Sequence, residues 1–164
     1  MLKDLYEARM ARLGAGITKN VLVPGLGMVA VCEMPGSKLG STTWEGALVL
    51  SAYLPLYLSN NYGHVPQPKV LELGAGTGLC GVAAALVGCD ALLTDKAGEV
   101  TDVMRRTVDL NRASWQAAGG RCVAAPWRSF RGATEKAVAL RSLRGKAAVT
   151  TAPPRPVPLD RSTW

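Results

Sequence analysis

The stretch Val70-Leu71-Glu72-Leu73-Gly74-Ala75-Gly76-Thr77-Gly78 decides the fold of this chain. Its first four residues predict a β-strand that runs directly into three glycines spaced two apart, and the apolar segment 79–87 that follows predicts a helix. A strand, a glycine turn and a helix in this order form the first half of a nucleotide-binding βαβ unit. Glycine suits the turn because it permits a tight bend, close approach of a ligand and close packing of the helix. The stretch therefore predicts a site for an adenosine-bearing ligand.

Strand and helix signals continue to alternate beyond this turn. The sequence predicts a short buried strand over 91–94 that ends at Asp95, a helix over about 100–112, and a third strand over 121–125 that is followed by Trp127. This β-α-β-α-β order predicts a parallel sheet with flanking helices and right-handed crossovers. Since no further strand is visible after Trp127, we expect an α/β sheet that is incomplete at its C-terminus.

The residues ahead of the glycine strand predict a helix and a hairpin. Apolar residues fall at helical spacing over 2–13, with charged residues between them and Gly14 after them. Two β-prone runs, 17–23 and 28–33, flank Pro24-Gly25, and this pair suits a type II turn. We therefore expect an N-terminal helix followed by a β-hairpin.

A second helix is predicted between the hairpin and the glycine strand. Thr42 and Glu45 are three residues apart and fit a capping box, in which each side chain satisfies a free backbone amide of the other residue. The apolar residues that follow predict a helix that Pro55 kinks or ends. Residues 60–69 contain glycine and proline and predict a surface connection into the glycine strand.

The net charge of +7 is concentrated at the C-terminal end. Residues 128–164 carry eight Lys or Arg and two Asp or Glu, and within them Pro153 to Pro158 fits neither a helix nor a central strand. We interpret the chain as an N-terminal helix and hairpin (1–40), a binding core (41–127) and a basic, Pro-rich, poorly ordered tail (128–164). The tail lacks an aromatic platform or a known module, which does not favour nucleic acid as a partner.

The composition indicates one domain with a tail in a reducing compartment. Of the 164 residues 48% are apolar, which is enough for a core, and no apolar run reaches the roughly 18 residues that span a bilayer. The cysteines show no metal-ligand spacing, so we expect reduced, buried thiols and no metal site. They are Cys32, Cys80, Cys89 and Cys122. The start has no secretory signal. We expect a monomer in the cytoplasm, with the nucleus as an additional location.

The glycines fit two binding motifs. Gly74, Gly76 and Gly78 form one pattern, whereas Gly76 to Gly81 matches the GxGxxG fingerprint of dinucleotide sites. Asp95 follows Gly76 by 19 residues and would bind a ribose in either case. Spacing alone does not decide between S-adenosylmethionine and a nicotinamide dinucleotide.

Glu72 favours one of these ligands. It lies two residues before Gly74 in an otherwise apolar strand, and a buried carboxylate needs a compensating partner. Beside a pyrophosphate it would repel the ligand and oppose the helix N-terminus that binds phosphate. Beside the ammonium and sulfonium of S-adenosylmethionine it would be attractive. We interpret the turn as an S-adenosylmethionine site, and an NAD(P)-binding oxidoreductase and a turn without ligand stay as alternatives.

The chain resembles one enzyme family in three segments. They are Trp44-Glu45-Gly46-Ala47-Leu48-Val49-Leu50, the glycine stretch continued to Gly81, and Leu93-Thr94-Asp95. Together they resemble the seven-β-strand protein-lysine methyltransferases, a methyltransferase-like group of the class I S-adenosylmethionine enzymes. The resemblance covers roughly 38–127. It implies a Rossmann-like class I methyltransferase fold, S-adenosyl-L-methionine as cofactor and lysine side chains of a protein substrate as the methyl acceptor.

The resemblance also implies roles for individual residues. The implied cofactor-binding residues are Trp44, Glu72, Gly74, Gly76, Gly78, Asp95 and Trp127. Asp95 would accept hydrogen bonds from the ribose hydroxyls, Trp127 would pack near the adenine, and Trp44 would cover the cofactor. Each has a structural alternative: a helix cap for Asp95, a rim aromatic for Trp127 and a hydrophobic staple for Trp44.

The acceptor half of the family pattern has no counterpart in this sequence. The family has a further strand after the position of Trp127, which ends in an acidic residue followed by an aromatic residue at the substrate channel. After Trp127 the acids are Glu135 and Asp160, and neither follows a buried strand. We therefore assign no catalytic base. A catalytically incomplete family member that binds cofactor or a partner protein is a second hypothesis, and the sequence specifies neither the substrate protein nor the methylation state.

Overall fold

A computed structural model describes residues 16–127, all of which lie within the compact unit Met1–Ser129. The predicted helix over 2–13 and the predicted tail over 128–164 lie outside the described residues and stay predictions. In chain order the elements are β1 (Ile17–Val23), β2 (Gly27–Glu33), a 3-10 helix (Leu39–Ser41), α1 (Glu45–Tyr62), β3 (Lys69–Leu73), α2 (Leu79–Ala85), β4 (Asp90–Lys96), α3 (Glu99–Leu110), α4 (Arg112–Ala117) and β5 (Arg121–Trp127).

Three of the strands form the parallel sheet that the sequence predicted. β4 lies in the middle, with β3 on one side and β5 on the other. The register pairs Leu73 with Thr94, and Asp95 with Pro126. The carboxyl ends of the three strands therefore meet at one edge of the sheet, which is where sheets of this class bind ligands.

β1 and β2 form the predicted antiparallel hairpin, which is a separate two-stranded sheet. The Leu26 amide donates a hydrogen bond to the Val23 carbonyl at 3.0 Å, and Gly25 has a φ of 81°. This is the hydrogen bond and the positive φ that a type II turn requires, so the prediction for Pro24-Gly25 is confirmed.

Two polar side chains anchor the hairpin to α3 and the residue after it. The Ala30 amide donates to Asn111 Oδ1 at 3.1 Å, and Asn111 Nδ2 donates to the Ala30 carbonyl at 2.7 Å. The Cys32 amide donates to Thr107 Oγ1 at 3.0 Å. Asn111 and Thr107 are both buried, so β2 is fixed to the core by hydrogen bonds that are shielded from water.

The core lies between the sheet, α2, α3 and the hairpin. Every residue of α2 is buried. The largest fully buried apolar side chains are Val23, Val29, Val31, Leu79, Val82, Leu93, Val103 and Met104. All four cysteines are free and buried, which confirms the prediction of buried thiols. No helix in the range 16–127 combines the length and the apolarity that crossing a bilayer requires.

The predicted capping box at the start of α1 is wrong. α1 begins at Glu45 with Trp44 as its N-cap residue, and no side chain forms a capping hydrogen bond there. Thr42 lies further out in extended backbone, with its hydroxyl 3.5 Å from the Leu39 carbonyl. Thr43 lies between Thr42 and Trp44 and is held by contacts with residues distant in sequence. These contacts override the capping preference of Thr42 and Glu45.

Two other helix boundaries differ from the prediction. α1 continues to Tyr62 with Pro55 inside it, so Pro55 does not end the helix, and the connection predicted over 60–69 begins only after Tyr62. The helix predicted to reach residue 112 stops at Leu110, and a separate short helix, α4, follows. Trp115 of α4 is buried and its Nε1 donates to the Val108 carbonyl at 3.1 Å, so a tertiary contact fixes this helix against α3.

Candidate functional site

The three predicted glycines adopt backbone conformations that favour glycine. The φ angles of Gly74, Gly76 and Gly78 are 70°, 55° and 83°, all in the left-handed region. The amides of Gly74 and Ala75 donate to the Thr94 carbonyl at 2.8 and 3.0 Å, which ties the turn to the end of β4. A Cβ at Gly74 would meet no atom within 4 Å, so this part of the turn leaves space beside the backbone.

Two glycines of the competing GxGxxG pattern are explained by helix packing. A Cβ at Gly81 would lie 2.4 Å from the Leu93 side chain, and a Cβ at Gly78 would lie 3.0 Å from the same side chain. α2 approaches β4 this closely because these positions carry no side chain. The match to a dinucleotide fingerprint therefore does not require a dinucleotide.

Asp95 lies next to the glycine turn, as predicted. Its Oδ2 accepts a hydrogen bond from the Gly76 amide at 2.7 Å, and its Oδ1 accepts one from the Lys96 amide at 2.6 Å. α3 begins only at Glu99, with Gly98 as its N-cap, so Asp95 is not the helix cap that the sequence allowed. Because carboxylate oxygens have further lone pairs, Asp95 can still accept hydrogen bonds from ligand hydroxyls.

Glu72 lies in β3 with its carboxylate against the start of α2. Its Oε2 is buried without a hydrogen-bond partner among the described residues, and the Cys80 thiol donates to the Ala47 carbonyl at 3.5 Å. Burial raises the pKa of Glu72 to about 7, although the nearby Gly81 amide and Cys80 thiol limit the rise. A carboxylate beside the start of α2 would repel a phosphate there, and its unpaired oxygen suits a cationic or water-mediated partner.

Trp44 lies directly before α1 and after Thr43. Its Nε1 donates to the Leu39 carbonyl at 2.8 Å, and the side chain is 58% exposed, so it does not pack as a hydrophobic staple. Trp44 and Thr43 line an open groove of about 510 Å³. The Thr43 hydroxyl lies 3.3 Å from the Thr77 hydroxyl, which places the segment before α1 against the glycine turn.

Trp127 ends β5 at the same edge of the sheet. It pairs with Lys96 in the register, one position beyond Asp95, and is 41% exposed. The structure thus brings Asp95, Trp127 and the glycine turn to one sheet edge, with Glu72 just inside it. The roles of these residues toward a cofactor stay predictions.

Three residues in or near the site were not predicted from the sequence. Thr77 is buried within the turn and Thr43 contacts it, while Glu33 at the end of β2 lies one contact further away and accepts a hydrogen bond from the Thr43 amide at 3.0 Å. A signal for Glu33 was present, because it alternates with Val29 and Val31 in the predicted strand and so faces the same side. In the structure all three are buried. An acid at such a position indicates a buried polar contact.

A sequence model of one family, described as lysine methyltransferase, matches residues 28–123. This range contains the glycine turn, Glu72, Asp95 and Trp44. It also contains Glu33 and the rest of β2 from Met28 onward, whereas β1 and Trp127 lie outside it. The match therefore includes most of the site and the elements that position it.

Individual relatives support the same family. Protein N-lysine methyltransferase METTL21A of Xenopus tropicalis is 41% identical over 58 residues, which is 35% of this chain and 25% of that protein. Protein-lysine N-methyltransferase rrg1 of Schizosaccharomyces pombe is 37% identical over 109 residues, or 63% of this chain and 34% of that protein. EEF1A lysine methyltransferase 3 of Mus musculus is 45% identical over 69 residues, or 41% and 28%. The chain thus spans between a quarter and about a third of the length of these relatives.

Proposed function

The chain belongs to the lysine methyltransferase family, and from that premise we propose that it is an S-adenosylmethionine-dependent methyltransferase that acts on lysine side chains of proteins. One observation carries the proposal. A glycine turn at the carboxyl edge of a parallel sheet is flanked by two carboxylates, Glu72 and Asp95, and neither makes an ion pair with a basic side chain among the described residues. Such a site suits a ligand that combines a ribose with positive charge.

The residues present fit the cofactor. The unpaired, buried Oε2 of Glu72 is suited to interact with the cofactor's ammonium or sulfonium, directly or through a water molecule. Asp95 would accept hydrogen bonds from the ribose hydroxyls, and Trp44 and Trp127 would pack against the cofactor from two sides. When bound, the cofactor supplies a methyl group on a sulfonium, which a neutral lysine amine can accept by nucleophilic attack.

The class of substrate is part of the same proposal, namely a protein whose lysine side chain accepts the methyl group. The relatives carry names that describe them as protein-lysine methyltransferases, and one of them as an EEF1A lysine methyltransferase. No substrate contact identifies a titratable side chain in the range 16–127 that could deprotonate the lysine. We therefore assign no residue to that role. Binding of cofactor without methyl transfer is the second candidate function.

Calorimetry on the full chain tests the identity of the cofactor. S-adenosylmethionine should bind the wild type and NADH should not. Asp95→Ala should bind S-adenosylmethionine roughly 10- to 100-fold more weakly, since hydrogen bonds to a charged group are lost. Asp102→Ala is the matched control, because Asp102 is an exposed acid of α3 that pairs with Arg105. Binding of NADH in place of S-adenosylmethionine would overturn the proposal.

Incubation with radiolabelled cofactor and cell extract then tests transfer. A labelled protein band whose modification maps to lysine by mass spectrometry is the expected result. Binding of cofactor with no labelled band would contradict the transferase proposal and favour a family member that binds cofactor without catalysis.

A further inference from the structure

We propose that Glu33 is a positioning residue that holds the segment Thr43–Trp44 against the glycine turn and so preorganises one wall of the cofactor site. This inference rests on the proposed function, because it takes the turn to be the S-adenosylmethionine site. Glu33 belongs to the N-terminal hairpin and lies outside the strand, turn and helix that carry the binding motif. It touches no ligand position and acts through Thr43.

Glu33 is a buried charge with two partners. It is 3% exposed, its Oε2 lies 2.5 Å from Lys19 Nζ, and its Oε1 accepts the hydrogen bond from the Thr43 amide at 3.0 Å. Burial alone would raise the pKa of Glu33, but the hydrogen bonds from Lys19 and Thr43 outweigh it and lower the pKa below its usual value. The residue is therefore ionised at neutral pH and forms a charge-assisted hydrogen bond with the Thr43 amide.

One contact connects the held segment to the glycine turn. The Thr43 hydroxyl lies 3.3 Å from the Thr77 hydroxyl. Thr77 directly follows Gly76, whose amide donates to Asp95. The loop before the segment also approaches the turn, because a Cβ at Gly76 would lie 3.3 Å from the Gly40 carbonyl.

The hairpin gives Glu33 a fixed base. β2 is bonded to Asn111 and Thr107, both of which are buried. The Met34 amide donates to the Ser41 carbonyl at 2.8 Å, so the loop before Thr43 is closed independently of the Glu33 side chain. Loss of the Glu33 acceptor should therefore release Thr43 and Trp44 while the rest of the loop stays in place.

Three variants of the full chain separate positioning from a purely structural role. Glu33→Gln keeps an oxygen that can accept from the Thr43 amide but loses the charge. Lys19→Met keeps the carboxylate but leaves it without its ion pair, which should reduce stability. Glu33→Ala removes the acceptor. We expect Glu33→Ala to bind S-adenosylmethionine about tenfold more weakly, and both Glu33→Gln and Lys19→Met to bind within about twofold of the wild type.

Amide hydrogen exchange by NMR gives a readout that needs no cofactor. The Thr43 amide should exchange faster in Glu33→Ala, and at the wild-type rate in Glu33→Gln and Lys19→Met. Equal affinity in Glu33→Ala and wild type would overturn the inference, as would affinity losses that follow the order of stability across the three variants. If Glu33→Ala does not fold, Glu33→Asp replaces it, because it keeps the charge but shortens the reach to Thr43.

The two proposals fail in different ways. If the wild type does not bind S-adenosylmethionine, the proposed function fails, and the exchange rate of the Thr43 amide still tests whether Glu33 holds that segment. If the wild type binds and Glu33→Ala binds equally well, only the positioning role of Glu33 fails.

Discussion

Two carboxylates of this protein, the buried Glu33 and the half-buried Glu72, differ because their partners differ. Glu33 has a lysine and a backbone amide beside it, and these lower its pKa despite burial. Glu72 has a buried Oε2 and no cation beside it among the described residues, so burial raises its pKa to about 7. The cofactor proposed for this family carries positive charge. A ligand of that kind would supply the cation that Glu72 lacks.

The raised pKa of Glu72 predicts a pH dependence of stability. In the unfolded chain the carboxyl ionises near its ordinary value of 4.5, whereas in the folded chain it stays protonated to about 7. The folded state therefore binds the proton more tightly, and the stability this contributes is present below 4.5 and is lost as the pH rises through about 7. Glu72→Gln should gain stability relative to the wild type across this interval, as measured by urea unfolding.

The difference between wild type and variant isolates this group, because the other titrations cancel. Glu45→Gln, at an exposed acid in the first turn of α1, is the control for removing one carboxyl elsewhere in the chain. A difference for Glu72→Gln that stays constant between pH 4.5 and pH 7 would show that the carboxyl is not protonated in the folded state.

The packing of α2 on β4 depends on glycine at position 81, where a side chain would meet Leu93. A Cβ at Gly81 would lie 2.4 Å from the Leu93 side chain, which is fully buried. Gly81→Ala should therefore lower the free energy of unfolding by about 1–3 kcal/mol, although alanine is the better helix former.

Gly46→Ala provides the comparison for this substitution. Gly46 also lies in a helix, and a Cβ there would meet no atom within 4 Å. This variant should be neutral or more stable by up to about 1 kcal/mol, because only helix propensity changes. Chemical denaturation of both variants measures the contrast. A stable Gly81→Ala protein would show that Leu93 can repack and that the glycine serves another purpose.

The sequence predicted elements well where local signals decide them. The strand, turn and helix from Lys69 to Ala85, the hairpin with its Pro24-Gly25 turn and the parallel sheet follow from periodicity and glycine placement. The start of α1 was wrong, because Glu33 and Thr77 hold Thr43 through contacts distant in sequence. Local capping rules consider only the residues near the helix end, so they do not include such contacts.

The residues of the candidate site that lie within local motifs were also predictable from the sequence. Glu72, Asp95 and the glycines lie within a motif whose spacing fixes their neighbours, so the sequence could place them together. Glu33 could not be assigned from spacing, since its partners Lys19 and Thr43 come from another strand and from a loop. The signal available from the sequence was its alternation with Val29 and Val31 in the predicted strand.

In the described part of the chain, the parallel sheet has two edge strands, β3 and β5. β4 pairs on both sides, whereas β3 and β5 each pair on one side within the range 16–127. Leu71 and Leu73 of β3 are 43% and 60% exposed, and Val123 of β5 is 38% exposed. Parallel sheets are usually covered on both faces, so these apolar side chains mark parts of the edge strands that the described residues leave uncovered.

This arrangement predicts a gradient of hydrogen exchange across the sheet. Each amide of a central strand can donate to a neighbouring strand, but in an edge strand alternate amides face outward and exchange without global unfolding. Amides along β4, such as those of Leu92 and Leu93, should be protected throughout. β3 should alternate between protected and rapidly exchanging positions, as resolved residue by residue by NMR on the full chain. Uniform protection along β3, equal to that of β4, would contradict an open edge and show that a further strand pairs with β3.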